Sequence, residues 1–295
     1  MGYEGKDDAV SSPPKKFDAG VKCDKSAVEE LVSKDINATR NEYLFETPAF
    51  ITKWLLTAIV DVRDLPITFL FFNITCMTIP AAALIFYLND WRIGLLYFVT
   101  NLLTFQERFI LGLHYSSHRP LFKPQYALLN QWAPLVLCPF FGLPSGMYYL
   151  HHCVMHHKEN NVFPWDVSTT EPYQRDNPLH FICYWLRFLV AIWFELPYYA
   201  AKRGRYKMCT QGVSTLVGYF ICLTFLYNRF PVGTLWTLVI PLVGGSLLLM
   251  LGNWSQHVFC SPHLGEMDMK RKHVNYHLTY NIVNAPFNQK TFNDG

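Results

Sequence analysis

Charged residues are scarce in this chain. Asp, Glu, Lys and Arg make up 16% of its 295 residues, where an ordinary soluble domain carries about 25%. Much of the surface is therefore expected to face something other than water. The formal net charge is only +3, which gives no reason to expect a nucleic-acid partner. Eight cysteines, at 23, 76, 138, 153, 183, 209, 222 and 260, form no CxxC pair. A disulfide framework and a cysteine zinc site are thus set aside in favour of reduced thiols. No apolar run follows the start, so no cleaved signal peptide is expected. Gly2 is followed by Lys6 where a myristoylation motif wants Ser or Thr.

Apolar residues are abundant, at 51%, with 16% aromatic. Residues 1–45 are polar and rich in Lys, Asp, Ser and Pro, and read as a mobile tail. Four stretches then read as transmembrane helices, at 66–88, 93–113, 211–230 and 233–252. The turns "NDWR" and "NRFPVG" join them into two hairpins. The second stretch contains Gln106, Glu107 and Arg108, polar groups that belong against protein or a wet cavity. With the N-terminus in the cytosol, only Arg92 and Arg229 lie at the outer turns. Lys202, Arg203, Arg205, Lys207, Lys270, Arg271 and Lys272 then lie inside, the expected cationic excess. All eleven histidines fall on that same inner side. The interrupted apolar segments 46–62 and 178–200, the latter with Arg187 and Glu195, read as interfacial helices. The expected fold is an all-α integral membrane domain over 46–295, with a cytosolic helical cap that carries histidines.

The histidines are not scattered. His114 and His118 close the second span in "LHYSSH", and "HHCVMHH" holds His151, His152, His156 and His157. "NWSQH" places Asn253 and His257 after the last span. The pairs His114/His118, His152/His156 and Asn253/His257 share the i, i+4 spacing that puts two side chains on one helical face. One such pair is ordinarily helix surface. Three at one end of membrane helices point to metal, and six imidazoles exceed the roughly four ligands of a zinc ion, which argues for two ions. Imidazole alone does not select the metal; iron follows if the substrate is an unactivated hydrocarbon. His151 is expected to face away while His152 binds. Glu107 would accept a hydrogen bond from a ligand ring or pair with Arg108. His180 reads as interfacial and His263 as a loop residue, while His273 and His277 repeat the spacing.

"HYSSH", "HHCVMHH" and the four spans together resemble the integral-membrane fatty acid desaturase and hydroxylase family, over roughly 65–295. The first histidine box matches His114 and His118, and the second matches His152, His156 and His157. "NWSQH" is similar to an additional element, in which His257 is a ligand and Asn253 reaches the metal through water. The resemblance implies two non-haem irons, dioxygen as co-substrate and a lipid acyl substrate in the bilayer. It also implies a small cytochrome or ferredoxin as electron donor, and the endoplasmic reticulum with the site facing the cytosol. The third box, with its His-His doublet, does not occur before the final "NAPFNQKTFNDG". The expectation is a fragment whose continuation supplies it; the alternative is a catalytically incomplete paralogue. Desaturation and hydroxylation remain open, as both use the same boxes. A haem electron carrier would need histidines at mid-span, and the spans contain none. Residues 132–150 would line the substrate path or pack at the interface. The polar pieces 159–161 and 165–176 would orient a headgroup or form simple Asx and Ser turns.

Overall fold

The computed structural model describes residues 45, 47–159 and 161–257. Nearly all of the expected tail, and His263, His273 and His277, lie outside the described residues. Among those described, regular structure is helical apart from one antiparallel bridge between Ile59 and Phe122.

Helix α1 is short, Ala49–Ala58, with exposed Phe50, Trp54 and Leu56. Helix α2, Leu65–Leu88, starts with Pro66 in its first turn, where a missing N–H costs nothing. It stops at Asn89, whose left-handed backbone (φ 51°) turns the chain. Asp90 then caps helix α3, Trp91–Asn101, by accepting from the Arg92 N–H at 2.7 Å. A π-helical turn at Leu102–Gln106 leads directly into helix α4, Glu107–His118. An irregular stretch of short helical turns follows up to Met147, where a histidine-bearing helix begins. It is π-helical from Leu150 to His156 and ends at Glu159. Helix α5 is Pro178–Lys202, capped by Asn177, which accepts from the Leu179 N–H at 2.9 Å. Helix α6, Tyr206–Arg229, leads through a short turn and a π segment into helix α7, Ile240–Gln256.

Among the described residues, four helical stretches are long and apolar enough to cross a bilayer: Val62–Leu88, Pro178–Lys202, Tyr206–Arg229 and Pro231–Gln256. Three coincide with the expected spans. The expected span 93–113 lies in the continuous α3–α4 rod, Trp91 to His118, where Gln106, Glu107 and Arg108 interrupt the apolar run. The fourth is α5, read from sequence as interfacial. Its contacts run from Tyr184, beside Ser168 in the loop after the histidine-bearing helix, to Arg203, paired with Glu159 at the end of that helix at 2.5 Å. Met77, Leu84, Val190, Phe194, Val217, Ile221 and Phe225 project outward from these helices, an apolar exterior suited to lipid.

Phe86 at the end of α2 meets Phe230 at 5.8 Å between ring centroids. At the opposite end, fully buried Asp64 accepts from Arg119 at 2.5 Å, which ties the start of α2 to the residue after α4. One apolar core joins α2, α4 and the irregular stretch through Leu70, Phe71, Ile74, Phe109, Leu137 and Phe141. A second joins the histidine-bearing helix, α5 and α7 through Met147, Met155, Tyr184, Phe188, Met250 and Trp254. The backbones of the irregular stretch and α7 touch: a Cβ on Gly142 (φ +84°) would fall on the Pro241 carbonyl oxygen, and one on Gly245 on that of Phe141. The Gln106 side chain donates to that same Phe141 carbonyl at 3.0 Å. The histidine-bearing helix is thus wedged along the seam between two cores.

Candidate metal centre

The i, i+4 pair on α4 behaves as helical geometry requires, with the His114 and His118 rings 5.1 Å apart. The "HHCVMHH" segment does not. In a π-helix the hydrogen bonds run i to i+5, so His157 rather than His156 lies closer to His152, edge to face, with ring centroids 4.5 Å apart. The His152 and His157 Nε2 atoms are 3.0 Å apart, whereas the His152 and His156 rings are separated by 6.0 Å. The expected pairing of His152 with His156 is therefore replaced by His152 with His157.

The two helices bring their rings together. His118 Nε2 lies 3.2 Å from His152 Nε2, and the ring of His114 is 4.3 Å from that of His152. One ring nitrogen from each of His114, His118, His152 and His157 lies within 4.8 Å of all the others. A neutral imidazole nitrogen carries one lone pair or one proton in its plane, so His152 Nε2 cannot satisfy two ring nitrogens at once. A cation between them can. Two nitrogens bound about 2.0–2.1 Å from one ion stand about 2.9–3.4 Å apart, and the observed 3.0 and 3.2 Å fall there. The residues fit a metal. Burial, reinforced by neighbouring imidazoles, lowers the pKa of His114 and of His157 to about 4 and lowers that of His152 as well. His114, His152 and His157 are thus held neutral, the form that binds metal.

Beside this cluster stands a second pair. The His156 ring is 5.5 Å from that of His257, which is buried. His156 Nδ1 is 2.6 Å from the fully buried carboxylate of Asp166. Burial alone would raise that carboxyl, but His156, by charge and hydrogen bond, with His151 and Ser168 assisting, holds it well below the usual range. An ionised Asp166 accepts the Nδ1 proton of His156, so Nε2 is the nitrogen this ring can offer a metal.

Asp166 belongs to a buried polar loop. Its other oxygen accepts from the Ser168 N–H at 2.8 Å and the Ser168 hydroxyl at 2.7 Å. Asn161 bonds to Asp166 and Thr170. The Ser168 carbonyl accepts from Tyr184 on α5 at 3.2 Å and from Asn253 on α7 at 3.0 Å, and Arg187 donates to the Val167 carbonyl at 2.7 Å. The loop is therefore a joint between three elements, with its polar side chains turned inward.

The remaining expected residues are placed as follows. His151 turns away from the four-histidine cluster, with Nε2 3.1 Å from the Ser168 hydroxyl. Asn253 spends its amide hydrogens on the Ser168 carbonyl and the Tyr184 hydroxyl. His180 accepts from the Gln174 N–H at 2.8 Å, within the loop before α5. Glu107 is exposed, and the carboxylate beside a ring is Asp166, in the stretch 165–176 expected to orient a headgroup or form simple turns. Its signal was present: an Asp two residues before a Ser, in a polar run soon after the second box.

Comparison with known proteins agrees with this site. The profile of the fatty acid desaturase family matches residues 89–295, well over half of the chain. No match was found among the curated proteins or the solved structures compared. The chain belongs to the fatty acid desaturase family, and is thereby an oxidoreductase.

Proposed function

We propose that this protein is a membrane-bound desaturase that removes two hydrogens from a lipid acyl chain, using dioxygen at a centre of two histidine-bound irons. The observation that carries the reading is the convergence of His114, His118, His152 and His157, in a chain whose apolar helices suit a bilayer. These four residues would hold one ion. His156 and His257 would hold part of a second, and the Asn253 carbonyl oxygen is free to contact it through water. Iron, when bound, supplies the one-electron chemistry with dioxygen that an unactivated methylene demands.

The protein's part is positioning. Asp166 keeps the proton on His156 Nδ1. Tyr148, stacked on His152 at 5.2 Å, and Phe188, 5.2 Å from His151, close the apolar sides of the histidine layer. The substrate is an acyl lipid delivered from the bilayer, and the electrons come from a small cytochrome or ferredoxin. The site faces the cytosol, at the endoplasmic reticulum membrane. Expression of the full-length protein in a host lacking the product, followed by mass spectrometry of its acyl chains, tests this. A new double bond supports the reading, a hydroxyl assigns the oxygenase alternative, and an unchanged lipid profile with iron-loaded protein overturns both.

A further inference from the structure

The Ser168 hydroxyl lies between two histidines five residues apart. It donates to Asp166 at 2.7 Å, and both His151 Nε2, at 3.1 Å, and His156 Nδ1, at 3.2 Å, approach its oxygen. A hydroxyl that has spent its hydrogen on a carboxylate can only accept from further partners. His151 must then carry its proton on Nε2. His156 must carry its proton on Nδ1, where Asp166 accepts it. Ser168, Asp166 and His151 are buried and His156 nearly so, so water competes little. Asp166 is held in turn by the N–H groups of Asn161 and Ser168.

We infer that Asp166 and Ser168 are positioning residues that assign opposite tautomers to two nearby histidines, making His156 a metal ligand through Nε2 and withholding the Nε2 of His151. The inference rests on the proposed metal centre and concerns only its second ion. The four-histidine cluster lacks this support, because none of its members touches Asp166 or Ser168 in a hydrogen bond among the described residues. It therefore serves as an internal control.

The test is a cobalt(II) titration of the metal-free, full-length protein in detergent, read by ligand-field absorption and by bound metal per chain. Wild type is expected to take up two ions in distinguishable steps. Asp166→Asn places an amide where His156 or a backbone N–H needs an acceptor, and should weaken the second step about 10- to 100-fold with the first unchanged. Ser168→Ala keeps the carboxylate and frees His151; it should weaken the second step less and alter its spectrum. Asp166→Glu should recover part of the loss. Two wild-type-like steps in folded Asp166→Asn and Ser168→Ala would overturn the assignment alone, as would equal weakening of both steps. Should Asp166→Asn fail to fold, Ser168→Ala decides by the same criterion. Uptake of fewer than two ions by wild type would overturn the two-ion reading on which the assignment depends.

Discussion

The four-histidine cluster and the His156/His257 pair are neighbours built on different plans. Among the described residues the cluster draws only on α4 and the histidine-bearing helix, and its rings restrain one another. The pair draws on α7 as well, and His156 is oriented from behind by a carboxylate. A site made from two adjoining helices survives small shifts elsewhere. A site that reaches across to a third element, through a loop hydrogen-bonded to α5 and α7, depends on the whole assembly.

The contrast can be broken most directly by substitution. His118→Ala or His152→Ala should reduce lipid conversion below detection and abolish the first metal step. The protein should still be membrane-inserted, as extraction by carbonate and detergent would show. His257→Ala should also abolish turnover but leave the first step within about twofold. If it removed both ions, the two sites would have to be treated as one.

Acidification sharpens the comparison further. His114 and His157 have folded pKa values of about 4, against about 6.5 for an unperturbed imidazole. The unfolded state therefore takes up their protons first. Above about pH 6.5 neither state is charged and these groups contribute nothing. Stability of the metal-free protein should fall as pH drops from about 6.5 towards about 4, then level off with respect to them. Thermal melting in detergent across that window measures it, and a flat profile would contradict a neutral His114 and His157.

A smaller effect is expected at the backbone crossing that positions α7. Gly245→Ala should cost about 1–3 kcal/mol by overpacking, since its Cβ would strike the Phe141 carbonyl. The second metal step should weaken more than the first. Least of all, His180→Ala should leave both steps and the activity within error, because that ring serves only the loop before α5.

What the sequence discloses follows from which patterns are local. The i, i+4 spacing of His114 and His118 belongs to one ordinary helix, and their convergence could be read directly. The partner of His152 could not, because a π turn changes which residue lies one turn on, and the sequence of Leu150–His156 does not announce it. The six histidines expected as ligands do gather in one region. Asp166 was hidden for a different reason: a polar loop reads as solvated until its burial is known, and this one is buried by α5 and α7. The balance between 93–113 and 178–202 as apolar segments was similarly hidden. Gln106 and Glu107 interrupt one, while Arg187 and Glu195 neutralise each other in the second at 2.9 Å.

Among the described residues, the first cluster consists of nothing but imidazole. Such a ligand set does not discriminate strongly among divalent ions, and zinc outranks ferrous iron in intrinsic affinity. Occupancy will then record what the cell or the purification buffer offers. Zinc recovered from a recombinant preparation would reflect supply, and the proposed iron chemistry is to be tested on protein reconstituted with iron under exclusion of air.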